Sequence, residues 1–206
     1  MLYKRILGAF YDRFMHSLEK KYLGERRSRL ISDLSGRILE VGVGTGANFK
    51  YYKEDIELTG IEPSPYMLSR AEKKRELLLF PSRITLLETG CGYPEMKKLI
   101  PDNSLDAVVC TLILCTIPDP EKALENFMKW LKPQGKLVVL EHIRSHHPAR
   151  EKWQDFLNPF WKIVADGCHL NRPTDRLLIS SGFEPLREEY FNIGMPFYEA
   201  EFVKTT

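Results

Sequence analysis

Short apolar runs recur along the chain and alternate with segments that carry helical signals. Seven runs of four to seven residues are rich in Ile, Val, Leu or Phe, the composition expected of buried β-strands. The run at 107–112 is apolar almost throughout, which is typical of a central parallel strand covered on both faces. The predicted strands are 38–41, 56–61, 84–88, 107–112, 137–141, 186–191 and 197–203.

Helical signals lie between most of these strands. Ser64 followed by Pro65 is an N-cap pattern for a helix to about residue 79, and Asp119 followed by Pro120 begins another through residue 131. Further helices are predicted to start within 47–52 and to lie at 174–181. Alternating βα units form parallel sheets with right-handed crossovers, so the chain is predicted to be α/β, with a doubly wound seven-stranded sheet. The sheet should be mostly parallel, with a closing hairpin and an antiparallel final strand.

Residues 1–33 are predicted to form a helical cover at the amino terminus. Leu2, Ile6, Phe10 and Phe14 recur every four residues and form one apolar face, and Gly24 marks a division between two helices. The first 30 residues hold eight Lys or Arg against three Asp or Glu. This segment therefore fits either a cover over a ligand pocket, which we expect, or peripheral contact with an anionic membrane surface.

The bulk properties favour one domain over residues 1–206. A chain of 206 residues can bury about 70% of its unfolded surface in a single core. The net charge of +2 gives no general attraction to nucleic acid, and no run of 18 apolar residues exists to span a bilayer. The amino terminus also lacks the apolar region of a signal peptide. We therefore expect a cytoplasmic protein without nucleic-acid partners and without an obligate protein partner.

The four cysteines, Cys91, Cys110, Cys115 and Cys168, lack the spacing of a zinc site. We therefore predict no metal site. Reduced thiols are expected, with pairing of some of them as the alternative. Cys110 lies within an apolar run and is expected to be buried.

The strongest chemical signal is the turn after the first predicted strand. Gly42, Gly44 and Gly46 alternate there, an arrangement that lets backbone amides approach a ligand at a helix start. The spacing differs from the Gly-x-Gly-x-x-Gly of dinucleotide sites, and Glu40 would repel a pyrophosphate but suits an ammonium or sulfonium group. Glu62 ends the second predicted strand, where a carboxylate can bind ribose hydroxyls. Together these residues predict a binding site for S-adenosyl-L-methionine.

Four segments in this order resemble the successive motifs of class I S-adenosylmethionine-dependent methyltransferases: EVGVGTG at 40–46, GIE at 60–62, SLDAVV at 104–109 and LKPQG at 131–135. The later segments CTLILC at 110–115, EH at 141–142 and DGCHLNR at 166–172 resemble the methyltransferase-like 7 group, whose animal members are membrane-associated thiol methyltransferases. Tyr11-Asp12 and GIEPSP at 60–65 are similar to bacterial phospholipid N-methyltransferases and quinone C-methyltransferases. The resemblance implies a Rossmann-like fold, with Tyr11 on a helix over the cofactor.

Further residues are predicted to line the cofactor site. Thr111 and Leu112 lie at the carboxyl end of the central strand, where doubly wound folds bind ligands, although both also fit the core. Met67 is positioned to pack on adenine, with core packing as the alternative. Relatives carry an acid in the turn after the third strand, but this chain has none there. Backbone atoms of Cys91 and Gly92 are expected to take its place.

His142 ends the fifth predicted strand, beside the expected site of methyl transfer. A thiol with a pKa of about 8.5 reacts as its thiolate, so a neighbouring imidazole would help as a base, with a structural histidine as the alternative. Segment 144–175 resembles a substrate lid, and the subgroup resemblance implies active-site roles for Asp166 and His169, with a structural turn as the alternative.

The predicted activity is methylation of a small or lipophilic acceptor by S-adenosyl-L-methionine, with a thiol as the first expectation. The resemblance leaves two alternatives open. One is a phospholipid amine or a quinone as the acceptor. The other is a cofactor-binding partner protein that does not catalyse a reaction.

Overall fold

The computed structural model describes residues 19–165 and 167–205, with the backbone alone at residues 20 and 97. The apolar face predicted at residues 2–14, including Tyr11, lies outside the described residues, and so does Asp166. None of the described helices is long and apolar enough to cross a membrane.

One sheet of seven strands forms the centre of the described chain. The strands are β1 (Gly36–Val41), β2 (Ile56–Ile61), β3 (Ile84–Leu87), β4 (Leu105–Thr111), β5 (Leu131–His142), β6 (Glu184–Ile193) and β7 (Met195–Val203). Their order is β3-β2-β1-β4-β5-β7-β6. β7 pairs antiparallel with β5 and β6, and the other neighbouring pairs are parallel. The predicted doubly wound sheet with an antiparallel final strand is therefore confirmed.

Helices cover both faces of this sheet. They are α1 (Gly24–Ile31), α2 (Pro65–Arg75), α3 (Met96–Leu99), α4 (Pro120–Trp130), α5 (Pro148–Val164) and α6 (Thr174–Ser180). A π-helical turn at Glu19–Leu23 precedes α1, so the helix type changes at Gly24, where a division was predicted. The predicted caps of α2 and α4 are confirmed. The Ser64 side chain accepts from the Met67 amide, and Asp119 accepts from the Lys122 amide.

Two buried clusters show how the sheet is covered. On one face, Phe127 and Trp130 of α4 pack with Leu178 of α6 against the central strands. On the other face, α1 and α2 contribute Leu30 and Leu68 to a second cluster. Because β2, β1, β4 and β5 are neighbouring parallel strands, their carboxyl ends lie at one edge of the sheet. Doubly wound folds bind ligands at this edge.

Three predicted boundaries are wrong. Instead of a helix starting within 47–52, the chain makes one 3-10 turn at Phe49–Tyr51, because Asn48 and Tyr52 are both held by a buried network. α2 ends at Arg75 rather than near residue 79, and Leu79 is exposed. β5 begins at Leu131 instead of residue 137, and passes through a left-handed residue, Gln134, before its main run.

The segment at 144–175 contains the 17-residue helix α5, which the hydrophobic pattern did not predict as a helix. Six of its large apolar side chains are exposed and Trp161 is half-buried, whereas its polar Gln154 is buried, which is largely the reverse of the usual arrangement. Gln154 donates to the carbonyls of Ile143 and Leu170 and accepts from the Ser145 amide. Polar contacts therefore attach α5 to the edge of the sheet.

Candidate active site

The glycine turn after β1 has a backbone that other residues rarely adopt. Gly42, Gly44 and Gly46 have φ angles of 68°, 54° and 73°. A Cβ at Gly42 would lie 2.4 Å from the Ile113 side chain, and one at Gly46 would lie 2.5 Å from the Phe49 ring. A Cβ at Gly44 would meet nothing within 4 Å. Packing therefore requires the outer two glycines, whereas the surface at Gly44 is open to a ligand.

Glu62 lies directly after β2 and holds this turn in place. Its Oε2 accepts from the Gly44 amide at 3.0 Å, and its Oε1 accepts from the Ser64 amide at 2.9 Å. Each carboxylate oxygen keeps a further lone pair that can accept from a ligand hydroxyl. The side chain is therefore oriented for the predicted ribose contact.

The surroundings of the turn fit S-adenosyl-L-methionine. Gly44 offers open backbone, and Gly92 is also exposed, with nothing within 4 Å of an added Cβ. Leu112 adopts a left-handed φ of 58°, which is uncommon for a leucine and is frequently found at functional sites. Met67 is half-buried, whereas the Cys91 side chain packs into the core, so that only its backbone can face a ligand. Contact of these residues with the cofactor stays a prediction.

A buried set of polar side chains, called the oxygen network below, lies beneath the glycine turn. It consists of Arg27, Glu40, Asn48, Tyr52 and Thr111. Glu40 accepts from Asn48 at 3.0 Å and from Tyr52 at 2.9 Å, and Arg27 donates to Asn48 and Thr111 at 2.7 Å each. Burial raises the pKa of Glu40 to about 7, against the opposing effect of these hydrogen bonds. Because both oxygens of Glu40 and the Thr111 hydroxyl already have protein partners, their predicted contact with the cofactor stays a prediction.

Glu141 connects the glycine turn to the end of β5. Its Oε1 accepts from the amides of Ile113 and Leu114 at 2.7 and 2.8 Å, and the Ile113 side chain packs on Gly42. Burial raises the pKa of Glu141 to about 7, although the two amide hydrogen bonds oppose that change. Its Oε2 has no hydrogen-bond partner among the described residues.

Next to Glu141, three distant segments bring two thiols and an imidazole together. This group is called the sulfur cluster and consists of Cys115, His142 and Cys168. The Cys168 Sγ lies 2.9 Å from His142 Nε2 and 3.3 Å from Cys115 Sγ. The Trp161 indole of α5 donates to the same sulfur at 3.4 Å. Three neighbours thus surround one sulfur atom at the carboxyl edge of the sheet.

The electrostatics of the sulfur cluster place a negative charge on Cys168. Its hydrogen bond with Cys115, and then the bond and charge of His142, outweigh burial and lower the pKa of Cys168 to about 4. The bond to Cys168 and burial raise the pKa of Cys115 well above its ordinary value, so Cys115 keeps its hydrogen. Burial alone would lower the pKa of His142, but the hydrogen bond and charge of Cys168 raise it. Both shifts favour the charged forms of the pair, a thiolate at Cys168 and an imidazolium at His142.

The three atoms of the sulfur cluster lie within 4.8 Å of one another, and their types are those of zinc ligands. Tetrahedral zinc with bonds of about 2.3 Å to sulfur and 2.0 Å to nitrogen would separate two sulfurs by about 3.8 Å, and sulfur from nitrogen by about 3.6 Å. The observed separations of 3.3 and 2.9 Å are shorter. His142 Nδ1 also has no partner among the described residues, unlike a typical metal-bound histidine. The geometry is that of direct hydrogen bonds.

The loop after α5 holds Cys168 against β4 and β5. The His169 amide donates to the Cys115 carbonyl at 3.0 Å, and Arg172 donates to the carbonyls of Leu114 and Ile117 at 2.6 Å each. Burial lowers the pKa of the His169 imidazole, and the charge of Arg172 adds to this effect. His169 therefore lies beside the sulfur cluster, and its catalytic role stays a prediction.

The sequence placed His142 correctly at this edge but did not identify its partner Cys168, or Cys115 and Trp161 as the other neighbours of the Cys168 sulfur. Cys115 and Cys168 are 53 residues apart and share no motif, so their contact follows only from the fold. Both occur in segments that carried the family resemblance, and this was the available signal. Cys110 is fully buried, as predicted.

Comparison with known proteins agrees with this geometry. The family model described as a methyltransferase domain matches residues 39–139. Thiol S-methyltransferase TMT1B of Rattus norvegicus is 34% identical over 78% of this chain and 67% of its own length, and TMT1A of Homo sapiens is 30% identical over 82% and 71%. The solved structure of geranyl diphosphate methyltransferase with its bound cofactor superposes with a TM-score of 0.71 at 10% identity, covering 96% of this chain and 91% of that chain.

These matches confirm the predicted family, fold and cofactor. The glycine turn, Glu62 and the strand order supply the structural counterpart of the family motifs. The chain therefore belongs to the class I S-adenosylmethionine-dependent methyltransferases, within the TMT1 group, and is an enzyme that uses S-adenosyl-L-methionine as its methyl donor.

Proposed function

We propose that this enzyme methylates the sulfur of a thiol. The observation that carries the proposal is the sulfur cluster, in which His142, Cys115 and Trp161 all contact one sulfur atom at the edge where the cofactor turn ends. Such surroundings stabilise a thiolate, the form in which a thiol attacks an electrophile. The names of the TMT1 relatives support the same acceptor class.

The roles of the residues follow from their contacts. The glycine turn and Glu62 would hold S-adenosyl-L-methionine, which supplies a methyl group activated by its sulfonium. Glu141 fixes the loop between the two sites through the amides of Ile113 and Leu114. His142 Nε2 lies 2.9 Å from the Cys168 sulfur, and a proton on this nitrogen would stabilise an incoming thiolate in the same way. Positioning of this kind can supply up to about 7–11 kcal/mol of the barrier reduction.

We propose for His142 a role that differs in one respect from that of a general base. An imidazole whose pKa is raised by a neighbouring thiolate carries the proton itself, so it is better suited to stabilise an acceptor thiolate than to deprotonate a neutral thiol. The acceptor would then enter as the thiolate. This route needs His142, and it differs from a scaffold role in its dependence on the thiol pKa.

Product analysis with cofactor labelled on the methyl group tests the proposal. The acceptor panel contains small alkyl thiols, a phospholipid amine and a quinol of similar size. We expect the label in the thioether product of the alkyl thiols. Label only in the amine or quinol product would contradict the thiol proposal, and absence of turnover with any acceptor would favour a cofactor-binding partner protein.

We further propose that the acceptor is lipophilic and that the enzyme is a cytoplasmic protein that contacts membranes peripherally. The supporting observation is the outward face of α5, whose large apolar side chains are 44–74% exposed. Exposed Lys152 and Lys162 lie on the same helix and fit an anionic headgroup layer. The face consists of Trp153, Phe156, Leu157, Phe160, Ile163 and Val164.

Vesicles of phosphatidylcholine and phosphatidylserine test this surface by co-sedimentation. We expect the double substitution Phe156→Asp and Phe160→Asp to reduce the bound fraction at least several-fold. Leu79→Asp is the control, since Leu79 is apolar and even more exposed than the two phenylalanines but is not part of α5. An equal effect of the control would contradict the proposal. A variant without residues 1–18 shows how much the predicted amino-terminal helix contributes to vesicle binding.

A further inference from the structure

We propose that Cys168 and Cys115 form a thiol–disulfide exchange pair that reacts with small organic disulfides, R–S–S–R, and becomes a Cys115–Cys168 disulfide. This reaction needs no methyl transfer, so it goes beyond the proposed function and stands even if the acceptor is not a thiol. The two sulfurs lie 3.3 Å apart, whereas a disulfide bond measures about 2.05 Å. An approach of about 1.2 Å would therefore join them.

Burial separates the roles of the two thiols. Cys168 keeps 9% of its surface exposed, whereas Cys115 keeps 2%. Cys168 is therefore the outer thiol that a small disulfide reaches first, and Cys115 is the inner thiol that resolves the product. The left-handed Gly167 directly before Cys168 has only the Thr116 side chain within 4 Å of an added Cβ, at 3.8 Å, so the backbone there is not closely packed.

Ionisation assigns the same roles. Cys168 carries the lowered pKa of about 4 and supplies the attacking thiolate, whereas Cys115 retains its hydrogen until it is needed. Among the described residues, the titratable and charged groups that act on Cys168 are His142 at the end of β5 and Cys115 after β4, with weaker charge interactions of Glu141, His169 and Arg172. His142 Nε2 is within hydrogen-bond distance of Cys168 Sγ, and the ligand atoms of all three residues lie within 4.8 Å of one another, so that Cys115 would need a shift of the side chains to exchange a proton with His142.

In the first step, the Cys168 thiolate attacks one sulfur of R–S–S–R. The Cys168–SR bond forms, the S–S bond of the small molecule breaks, and the leaving RS⁻ takes the proton from His142 Nε2. In the second step, neutral His142 accepts the Cys115 proton, and the Cys115 sulfur attacks Cys168 Sγ. The second RS⁻ leaves and takes that proton. Two protein thiols are thereby oxidised and one disulfide is reduced to two RSH.

Other buried cysteines of the same chain provide internal controls. Burial raises the pKa of Cys91 to about 11, and raises that of Cys110 well above the ordinary thiol value. Both are therefore expected to stay protonated and unreactive in the folded protein, whatever happens at Cys168.

The experiment treats the folded full-length chain with 2-hydroxyethyl disulfide and follows it by intact-mass and peptide analysis. We expect loss of two hydrogens, with the link mapped to Cys115 and Cys168 and with Cys91 and Cys110 free. Cys115→Ser should stop at a single mercaptoethanol adduct on Cys168, and Cys168→Ser or Cys168→Ala should block both products. Cys110→Ser should behave as the unchanged chain.

The pH dependence supplies a second readout that a structural role would not affect. In Cys115→Ser the serine hydroxyl can still donate to Cys168, so the rate of adduct formation should be nearly constant from about pH 8 down to about pH 5.5, because the Cys168 thiolate is already formed. When His142→Gln is added to Cys115→Ser, the rate of adduct formation should fall about tenfold per pH unit below the thiol pKa, as for an ordinary thiol. The unfolded chain in urea should show the same slope as His142→Gln.

Three outcomes would overturn the proposal. One is that Cys91 or Cys110 reacts as fast as Cys168 in the folded chain. Another is that the rate in the folded protein follows the slope of an ordinary thiol. The third is that the purified chain holds stoichiometric zinc, and that disulfide formation begins only after chelation. Each can be observed while methyl transfer remains intact, so failure here and failure of the thiol-acceptor proposal are distinguishable.

Discussion

The oxygen network and the sulfur cluster lie at the same edge of one sheet, yet they differ in how completely their polar atoms are paired. In the oxygen network, both oxygens of Glu40 accept hydrogen bonds, and Arg27 donates to two neighbours in addition to its ion pair with Glu19. In the sulfur cluster and its neighbour Glu141, His142 Nδ1 and Glu141 Oε2 have no partner among the described residues.

This difference assigns different work to the two regions. A fully paired buried network is rigid, and removal of one member leaves the remaining buried polar groups without a hydrogen-bond partner. A cluster with unpaired atoms and a buried thiolate is held in a less favourable state, which is common where groups react. This contrast supports the proposal that the oxygen network holds the scaffold beneath the glycine turn and that the sulfur cluster takes part in the chemistry.

The largest effect is expected from His142→Ala. Methylation of a thiol should fall about 10²–10⁴-fold, because the imidazole no longer stabilises the acceptor thiolate. The loss should shrink between about pH 6.5 and about pH 9.5, since a thiol with a pKa of about 8.5 ionises unaided at the upper end. Steady-state rates across that range measure it.

His147→Ala is the matched control for His142→Ala, because His147 is exposed and lies at the start of α5, away from the sulfur cluster. Cofactor affinity should be unchanged in both variants. A loss for His142→Ala that is the same at every pH would mean that the histidine is a scaffold residue.

Arg27→Met should give the next largest effect, and on stability rather than chemistry. Removing one member of a buried ionic network costs about 3–5 kcal/mol of unfolding free energy, because Asn48 and Thr111 lose a charged donor in a dry environment. Urea titration measures the change. In Arg29→Met, the control on the same helix, Glu199 keeps Arg26 and Arg187 as partners. A smaller loss for Arg27→Met than for Arg29→Met would contradict the scaffold role.

Glu141→Gln should sharpen the comparison through pH. Folding raises the pKa of Glu141 from 4.5 to about 7, so protonation of this acid favours the folded state over the unfolded state. This stabilisation is fully present below about pH 4.5 and is lost as the pH rises through about 7. At about 1.36 kcal/mol per unit, the wild type should lose up to about 3 kcal/mol relative to the variant between about pH 4.5 and about pH 8.5. Unfolding free energies at several pH values measure the difference.

Glu54→Gln removes an exposed carboxylate and is the control for Glu141→Gln. It should leave the pH profile of stability close to that of the wild type. A wild-type-like profile for Glu141→Gln would instead mean that Glu141 is ionised at all these pH values, with an unseen partner for Oε2.

The sequence was sufficient for the fold because its signals are local. Apolar runs, the Ser64 and Asp119 caps and the glycine turn each depend on a few adjacent residues, and all were confirmed. The failures have non-local causes. The helix expected within 47–52 did not form because Asn48 and Tyr52 bond to Glu40, and α5 was missed because its apolar face is outward.

The site divides along the same line. Glu62 and the glycine turn follow from a single βαβ unit, so the sequence could place them. The contact between Cys115 and Cys168 joins segments 53 residues apart, and no spacing rule predicts it. The sequence could therefore predict a cofactor site at the glycine turn, whereas the sulfur cluster, which we propose surrounds the acceptor, could be found only from the fold.

The smallest expected effect concerns Glu62, which both holds the glycine turn and faces the predicted ribose. Glu62→Ala should weaken S-adenosyl-L-methionine binding by about 1.5–3 kcal/mol, the range for a hydrogen bond to a charged group. Gly44→Asn separates the two roles, because Asn tolerates the left-handed backbone while its side chain enters the open space above the turn. We expect that variant to fold normally and to bind cofactor weakly in calorimetric titration. Gly42→Ala should instead reduce stability, because the new Cβ meets Ile113. Unchanged cofactor affinity in both Glu62→Ala and Gly44→Asn would show that the cofactor binds elsewhere.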